Sequence, residues 1–95
     1  MYQEPTKTGY TIYSKSNCPA CVEAKTLLKD ATVINCDKYL EEDVDEFLDF
    51  IWGVVDLNNK IESRFPSTFP MIFEGKYYIG SLQEVKDSFT LQAEF

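Results

Sequence analysis

Thr11-Ile12-Tyr13-Ser14-Lys15-Ser16-Asn17-Cys18-Pro19-Ala20-Cys21 is the stretch on which the fold turns. An apolar, β-rich run from Gly9 to Ser14 leads directly into two cysteines spaced Cys-x-x-Cys. Two thiols at that spacing can close on each other or share one ligand. Proline is favoured at the first helical position, where its missing N–H is no loss. Pro19 therefore predicts a helix beginning at Cys18, with backbone N–H groups and the positive dipole end aimed at its sulfur. Such surroundings lower a thiol's pKa and favour the reactive thiolate.

Outward from this motif the elements follow in order. Val22 to Asp30 reads as helix, with Cys21, Ala24, Leu28 and Ala31 on one face and Leu27 widening it. Thr32 to Cys36 reads as a short second strand, and strand–helix–strand in so few residues predicts a parallel pair. In Glu41 to Val55, the residues Val44, Phe47, Leu48, Ile51, Trp52 and Val55 recur at helical spacing. That pattern predicts an amphipathic helix with Trp52 in the core. The acids Glu41, Glu42, Asp43, Asp45, Glu46 and Asp49 form a solvated face or a docking surface for a basic partner. Asn58-Asn59 reads as a break, with a short helical turn around Ile61 to Phe65. Pro70 to Phe73 and Lys76 to Ile79 flank Glu74-Gly75 as a hairpin, and Gly80 ends its second strand. Ser81 with Glu84 reads as a capping box for a last helix whose Leu82, Val85 and Phe89 face inward. Met1 to Thr8 reads as a loose leader. The order is β-α-β-α-β-β-α, and residues 1–95 read as a single domain.

Composition bounds the function. The chain has 95 residues, with 44% hydrophobic and 15% aromatic content, enough for one small core. A net charge of −7 argues against nucleic-acid binding through phosphate neutralisation. No segment approaches the roughly 20 apolar residues that span a bilayer. The polar start lacks an apolar signal region, so a reducing, cytoplasmic setting is the expectation. There a Cys-x-x-Cys points to redox or metal chemistry rather than to a staple. Three Cys and no His make a closed zinc site hard to complete, so no metal ligand is assigned.

With this element order, the Cys-Pro-x-Cys at the first strand–helix junction resembles a thioredoxin fold. The chain is similar in particular to the glutaredoxins. Thr11 to Cys21, Thr68-Phe69-Pro70 and Gly80-Ser81 carry the resemblance, which spans about residues 9 to 90. It implies an α/β fold with a four-stranded mixed sheet of order 2-1-3-4 and three or more flanking helices. Helices one and three lie on one face and helix two on the other. It also implies a cis Phe69–Pro70 bond beside the cysteines. Cys18 becomes the nucleophile and Cys21 the resolving thiol. Lys15 matches the basic residue that meets the glutathione glycine carboxylate, with Arg64 a second cation for it. Thr68, Phe69 and Pro70 match the segment that pairs with the glutathione backbone. Gly80, Ser81, Leu82 and Gln83 match the turn that takes the γ-glutamyl end. Ala20 stands where many members have Tyr, Phe69 where Val is usual, Ser81 for a second Gly, and Glu84 for an Asp. Pro66 and Ser67 stand where many members have a Gln or a basic residue.

The activity so implied is glutathione-dependent reduction of protein–glutathione mixed disulfides and of protein disulfides. Glutathione is then the co-substrate, no cofactor is tightly bound, and glutathionylated or disulfide-containing proteins are the partners of a monomer. Two alternatives stay open. One is a thioredoxin-like electron donor served by a flavoprotein reductase. The other is a dimer holding one [2Fe–2S] cluster through Cys18 and glutathione. Cys36, with no partner at motif spacing, reads as a small core residue, with regulatory oxidation as the alternative. Tyr13 and Phe69 read either as groove walls or as sheet packing.

Overall fold

A computed structural model of the chain describes residues 2–58 and 68–93. The elements are β1 (Tyr10–Ser14), α1 (Pro19–Leu27), β2 (Thr32–Asn35), α2 (Asp37–Asn58), β3 (Met71–Glu74), β4 (Tyr77–Gly80) and α3 (Leu82–Ala93). The sheet runs β2-β1-β3-β4. Strands β1 and β2 are parallel, with Ile12 opposite Val33. Strand β3 is antiparallel to β1, with Tyr13 opposite Met71. The thioredoxin-type order inferred from the resemblance is thus the observed one. The turn expected around Ile61 to Phe65, and Arg64, Pro66 and Ser67 with it, lie outside the described residues, as does the Phe89 side chain.

Strand alternation sends successive side chains to opposite faces and so builds two cores. Tyr13, Ile34, Met71 and Phe73 pack with Phe47, Ile51, Val54 and Val55 of α2. Ile12 and Ile72 pack on the other face with Ala24 and Leu28 of the α1 region and Val85 of α3. Helices α1 and α3 therefore share one face and α2 holds the other. Cys36 is fully buried in the first of these cores. Burial pushes its thiol up to about 12, which keeps it protonated and unreactive.

Helix α2 departs from the expected Glu41 to Val55 span. It begins at Asp37, and Asp43 within it is extended, with φ −165° and ψ 92°. The Asp43 carboxylate accepts from the Glu46 N–H at 3.0 Å, so Asp43 caps a fresh helix start. With the helix restarted there, its apolar stripe runs through Phe47, Ile51, Val54 and Val55. Val44 is 43% exposed and Trp52, read as core from its spacing, is 37% exposed. Leu27 likewise lies at the rim of its helix, 37% exposed, and does not widen the buried face.

The leader is not loose. Tyr2 sets its ring against Tyr39, Phe47 and Phe50, with centroids 4.8, 5.5 and 5.3 Å apart. Its hydroxyl donates to Glu46 at 2.9 Å. Thr6 N–H donates to Thr11 Oγ1 at 3.0 Å, and the buried Tyr13 hydroxyl donates to the Gln3 carbonyl at 2.6 Å. The first residues thus form a strap across the α2 core. Tyr13→Phe removes one hydrogen bond without changing ring volume. It is expected to lower stability by about 0.5–1.5 kcal/mol in urea unfolding, and to open residues 3–8 to protease.

The hairpin loop is Gly75-Lys76, one residue later than the expected Glu74-Gly75, because Glu74 still pairs with Tyr77. Gly75 has φ +57°, the conformation a two-residue hairpin loop requires at its first position. Its N–H donates to Gly9 O at 2.8 Å, which ties the hairpin to the start of β1.

Candidate active site

The loop between β1 and α1 carries the thiols. Asn17 takes φ +57°, a left-handed conformation that Asn tolerates better than most residues. That turn delivers Cys18 as the N-cap of α1, with Pro19 opening the helix. Cys18 and Cys21 are joined as a disulfide, with Cα atoms 5.2 Å apart. The Cys21 N–H donates to Cys18 Sγ at 3.2 Å. An N-terminal amide of α1 is therefore already aimed at the sulfur that must carry negative charge when the bond opens. Cys18 is half-buried and Cys21 fully buried. The two cysteines therefore differ in access, and Cys18 is the more exposed of the pair.

The Phe69–Pro70 bond is cis, as the resemblance implied. Its neighbourhood to the thiols is direct, since Cys18 Sγ lies 3.9 Å from the Phe69 carbonyl oxygen. The Lys15 ammonium sits 5.7 Å from the centre of the Phe69 ring, a cation–π distance. The Phe69 ring stacks on Phe47, with centroids 6.4 Å apart and planes 4° from parallel. Lys15, Cys18, Phe69 and Pro70 are thus brought together, and Thr68 adjoins them on the exposed side. Tyr13 is fully buried and packs in the sheet core.

Gly80 to Gln83 meet the same end of the sheet by register. Tyr13 pairs with Met71, and Ile72 with Gly80. Gly80 has φ +145°, and a Cβ there would come within 2.5 Å of the Glu84 carboxylate. That carboxylate accepts from the Ser81 N–H at 2.8 Å and from the Ser81 hydroxyl at 3.0 Å. The expected capping box is half made: Glu84 reaches back, while the Ser81 hydroxyl turns to Glu84. Gln83 is exposed and its amide donates to Asp87 at 2.9 Å. Arg64 lies outside the described residues.

Asp37 escaped the sequence reading. Its carboxylate accepts from the Ser16 N–H at 2.8 Å and also from the Ser16 hydroxyl. These bonds, hydroxyl first, hold the Asp37 carboxyl below its ordinary range, and the charge of Lys15 adds to the effect. Asp37 thereby fixes the loop that presents Cys18 to the first turn of α2. Being depressed in the folded state, this group contributes stability above its ordinary pKa of 3.8 and loses it as pH falls through the lower folded value. Asp37→Asn is accordingly expected to be less stable than wild type at neutral pH. In acid titrations followed by circular dichroism the gap should close below about pH 4. A gap constant with pH would mean that charge plays no part.

A glutaredoxin family model matches residues 10–79. Glutaredoxin 1 from Francisella tularensis, solved with cacodylate, superposes with a TM-score of 0.66 at 23% identity, covering 92% of this chain and 98% of that one. A dithiolic glutaredoxin from Trypanosoma brucei brucei gives 0.65 at 24% identity, covering 90% and 80%. A buckwheat glutaredoxin–glutathione complex gives 0.56 at 21% identity, covering 85% and 67%. No curated protein sequence matches the chain.

Proposed function

Since the chain belongs to the glutaredoxin family, a family of thiol–disulfide oxidoreductases, we propose that glutathione is its co-substrate and that Cys18 is its nucleophile. In the monothiol route, the Cys18 thiolate attacks the glutathionyl sulfur of a protein–glutathione mixed disulfide. The protein thiolate leaves and takes a proton, and Cys18 holds glutathione. A second glutathione thiolate attacks that sulfur, releasing oxidised glutathione and restoring Cys18. In the dithiol route, Cys18 attacks a protein disulfide, and Cys21 displaces the bound protein thiol to form the Cys18–Cys21 disulfide. Two glutathiones then reduce it.

One observation carries the glutathione reading: Cys18 Sγ lies against the Phe69 carbonyl, and the Lys15 ammonium lies over the ring of the same Phe69. A tripeptide whose sulfur meets Cys18 can pair its backbone with Phe69 and set its terminal carboxylate on Lys15. The family's crystal complex with glutathione, from buckwheat, supports the same class of ligand. The γ-glutamyl carboxylate then competes with Glu84 for the donors of Ser81. Proteins carrying a glutathionyl group or a disulfide are the partners, in a reducing cytoplasm. The test is turnover of a glutathionylated protein with glutathione, glutathione reductase and NADPH. Absence of NADPH consumption above the uncatalysed rate would remove the reading.

The occupation of Ser81 by Glu84 favours one second reading, an electron donor reduced by a flavoprotein reductase rather than by glutathione. Reduction of the Cys18–Cys21 disulfide by thioredoxin reductase, with no turnover in the glutathione assay, is the outcome that selects it.

A further inference from the structure

Ser14 is the last residue of β1, four positions before Cys18, and it is fully buried. Its hydroxyl is the one buried side-chain polar atom among the described residues that has no hydrogen-bond partner. A buried hydroxyl without a partner is costly and calls for an explanation. The backbone does not supply it: Ser14 O already accepts from Cys36 N–H at 2.7 Å, and that leaves the side chain unused.

Alternation along β1 gives Ser14 the face of Ile12, opposite to that of Tyr13. Ile12 packs with Ala24 and Leu28 on the α1 side of the sheet. Cys21 lies three residues before Ala24, on the same face of α1, and is fully buried. The carboxyl end of β1 runs by a short loop into the first turn of α1. Ser14 is therefore on the α1 side of the sheet, at the strand end that leads into the helix in which Cys21 is buried. In the disulfide, Cys21 Sγ is bonded to Cys18 and the Ser14 hydroxyl is left without an acceptor. In the dithiol, Cys21 Sγ is free to turn toward the sheet and becomes an acceptor in an otherwise apolar setting.

We propose that Ser14 is a positioning residue for the resolving thiol: its hydroxyl donates to Cys21 Sγ when the disulfide opens, and so favours the reduced couple. The proposal rests on the dithiol route above. The balance is that of a two-electron exchange. The Cys18–Cys21 bond breaks, each sulfur gains one electron and one proton, and two glutathione thiols become one glutathione disulfide. Ser14 supplies a hydrogen bond to the product sulfur and transfers no proton of its own.

The experiment is the redox equilibrium of the purified chain in glutathione buffers, read by alkylating the free thiols. Glutathione acts there only as a redox buffer and needs no binding groove. Ser14→Ala is expected to move the equilibrium three- to tenfold toward the Cys18–Cys21 disulfide, equivalent to about 14–30 mV more reducing. Ser14→Thr, which keeps the hydroxyl, is expected to stay near wild type, and Ser14→Val, of the same shape without it, to follow Ser14→Ala. The Thr–Val comparison also serves if Ser14→Ala does not fold. A purely structural role would weaken the oxidised and reduced proteins alike and leave the equilibrium where it was. Equal values for Ser14→Thr and Ser14→Val, or a Ser14→Ala equilibrium at the wild-type value, would overturn the proposal. Loss of mixed-disulfide turnover in the wild type would remove the glutathione reading and leave this equilibrium result standing.

Discussion

Cys18→Ser is expected to abolish turnover of a glutathionylated protein, a loss on the order of a thousandfold or more, while Cys21→Ser keeps it at the wild-type order of magnitude. The asymmetry follows from where the two sulfurs sit. Cys18 caps α1, receives the Cys21 N–H at 3.2 Å, and is only half-buried. A thiolate there gains from the amide and from the helix start, and an incoming disulfide can reach it. A serine hydroxyl in the same place stays protonated at neutral pH and forms no disulfide. Cys21 is sealed beneath the first turn of α1 and meets only a partner already bound to Cys18. The Cys21→Ser protein is therefore expected to retain exchange through a Cys18–glutathione adduct and to lose reduction of protein disulfides, which in the proposed dithiol route needs the second sulfur. The measurement is NADPH consumption with a glutathionylated protein, and separately with a disulfide-bonded one. Undiminished turnover in Cys18→Ser would place the nucleophile elsewhere.

Phe47→Ala carries the largest expected cost to stability. Phe47 is fully buried, and its ring meets those of Tyr2, Tyr13, Tyr39 and Phe69, with centroids 5.5, 6.2, 5.4 and 6.4 Å away. Truncating such a residue costs about 3–5 kcal/mol from lost transfer energy plus the cavity left behind. Small domains are stable by only about 5–15 kcal/mol, so the variant is expected to lie near its unfolding transition at room temperature. Urea unfolding followed by circular dichroism measures it. Phe47→Leu, which refills most of the space, should recover much of the loss. A cost below about 1 kcal/mol for Phe47→Ala would show that the surrounding rings collapse into the gap.

What could be read from the sequence was mostly what is local. Pro19 after Cys18, the apolar run before it, and Ser81 with Glu84 each declare an element within a few residues. Periodicity found α2 but not its break, because Asp43 caps without disturbing the apolar spacing on either side. The spacing Asp43-x-x-Glu46 was the available signal, and the side-chain oxygen of Asp43 does take the Glu46 N–H. Trp52 is exposed for a different reason: the buried stripe is centred on Phe47, Ile51, Val54 and Val55, and Trp52, one residue past Ile51, falls at its edge. Contacts made across the fold left no trace in the pattern. Ser16 and Asp37 are 21 residues apart, and Tyr2 and Glu46 are 44 apart. Nothing in their neighbours marks either pair. The cis bond before Pro70 came from the resemblance alone, as cis X–Pro is a minority conformation.

The interruption at Asp43 divides α2 into two pieces with different attachments. The first turn is bound through Asp37 to the loop that carries Cys18. The piece after Asp43 is bound through Phe47, Ile51, Val54 and Val55 to the sheet. Amide exchange should register this as a step in protection: residues 38–42 are expected to exchange through a local opening that responds to the redox state of the cysteines. Residues 47–55 are expected to exchange only with global unfolding. The two pieces of α2, adjacent in the chain, would then report two separate free energies, one belonging to the chemistry and one to the fold.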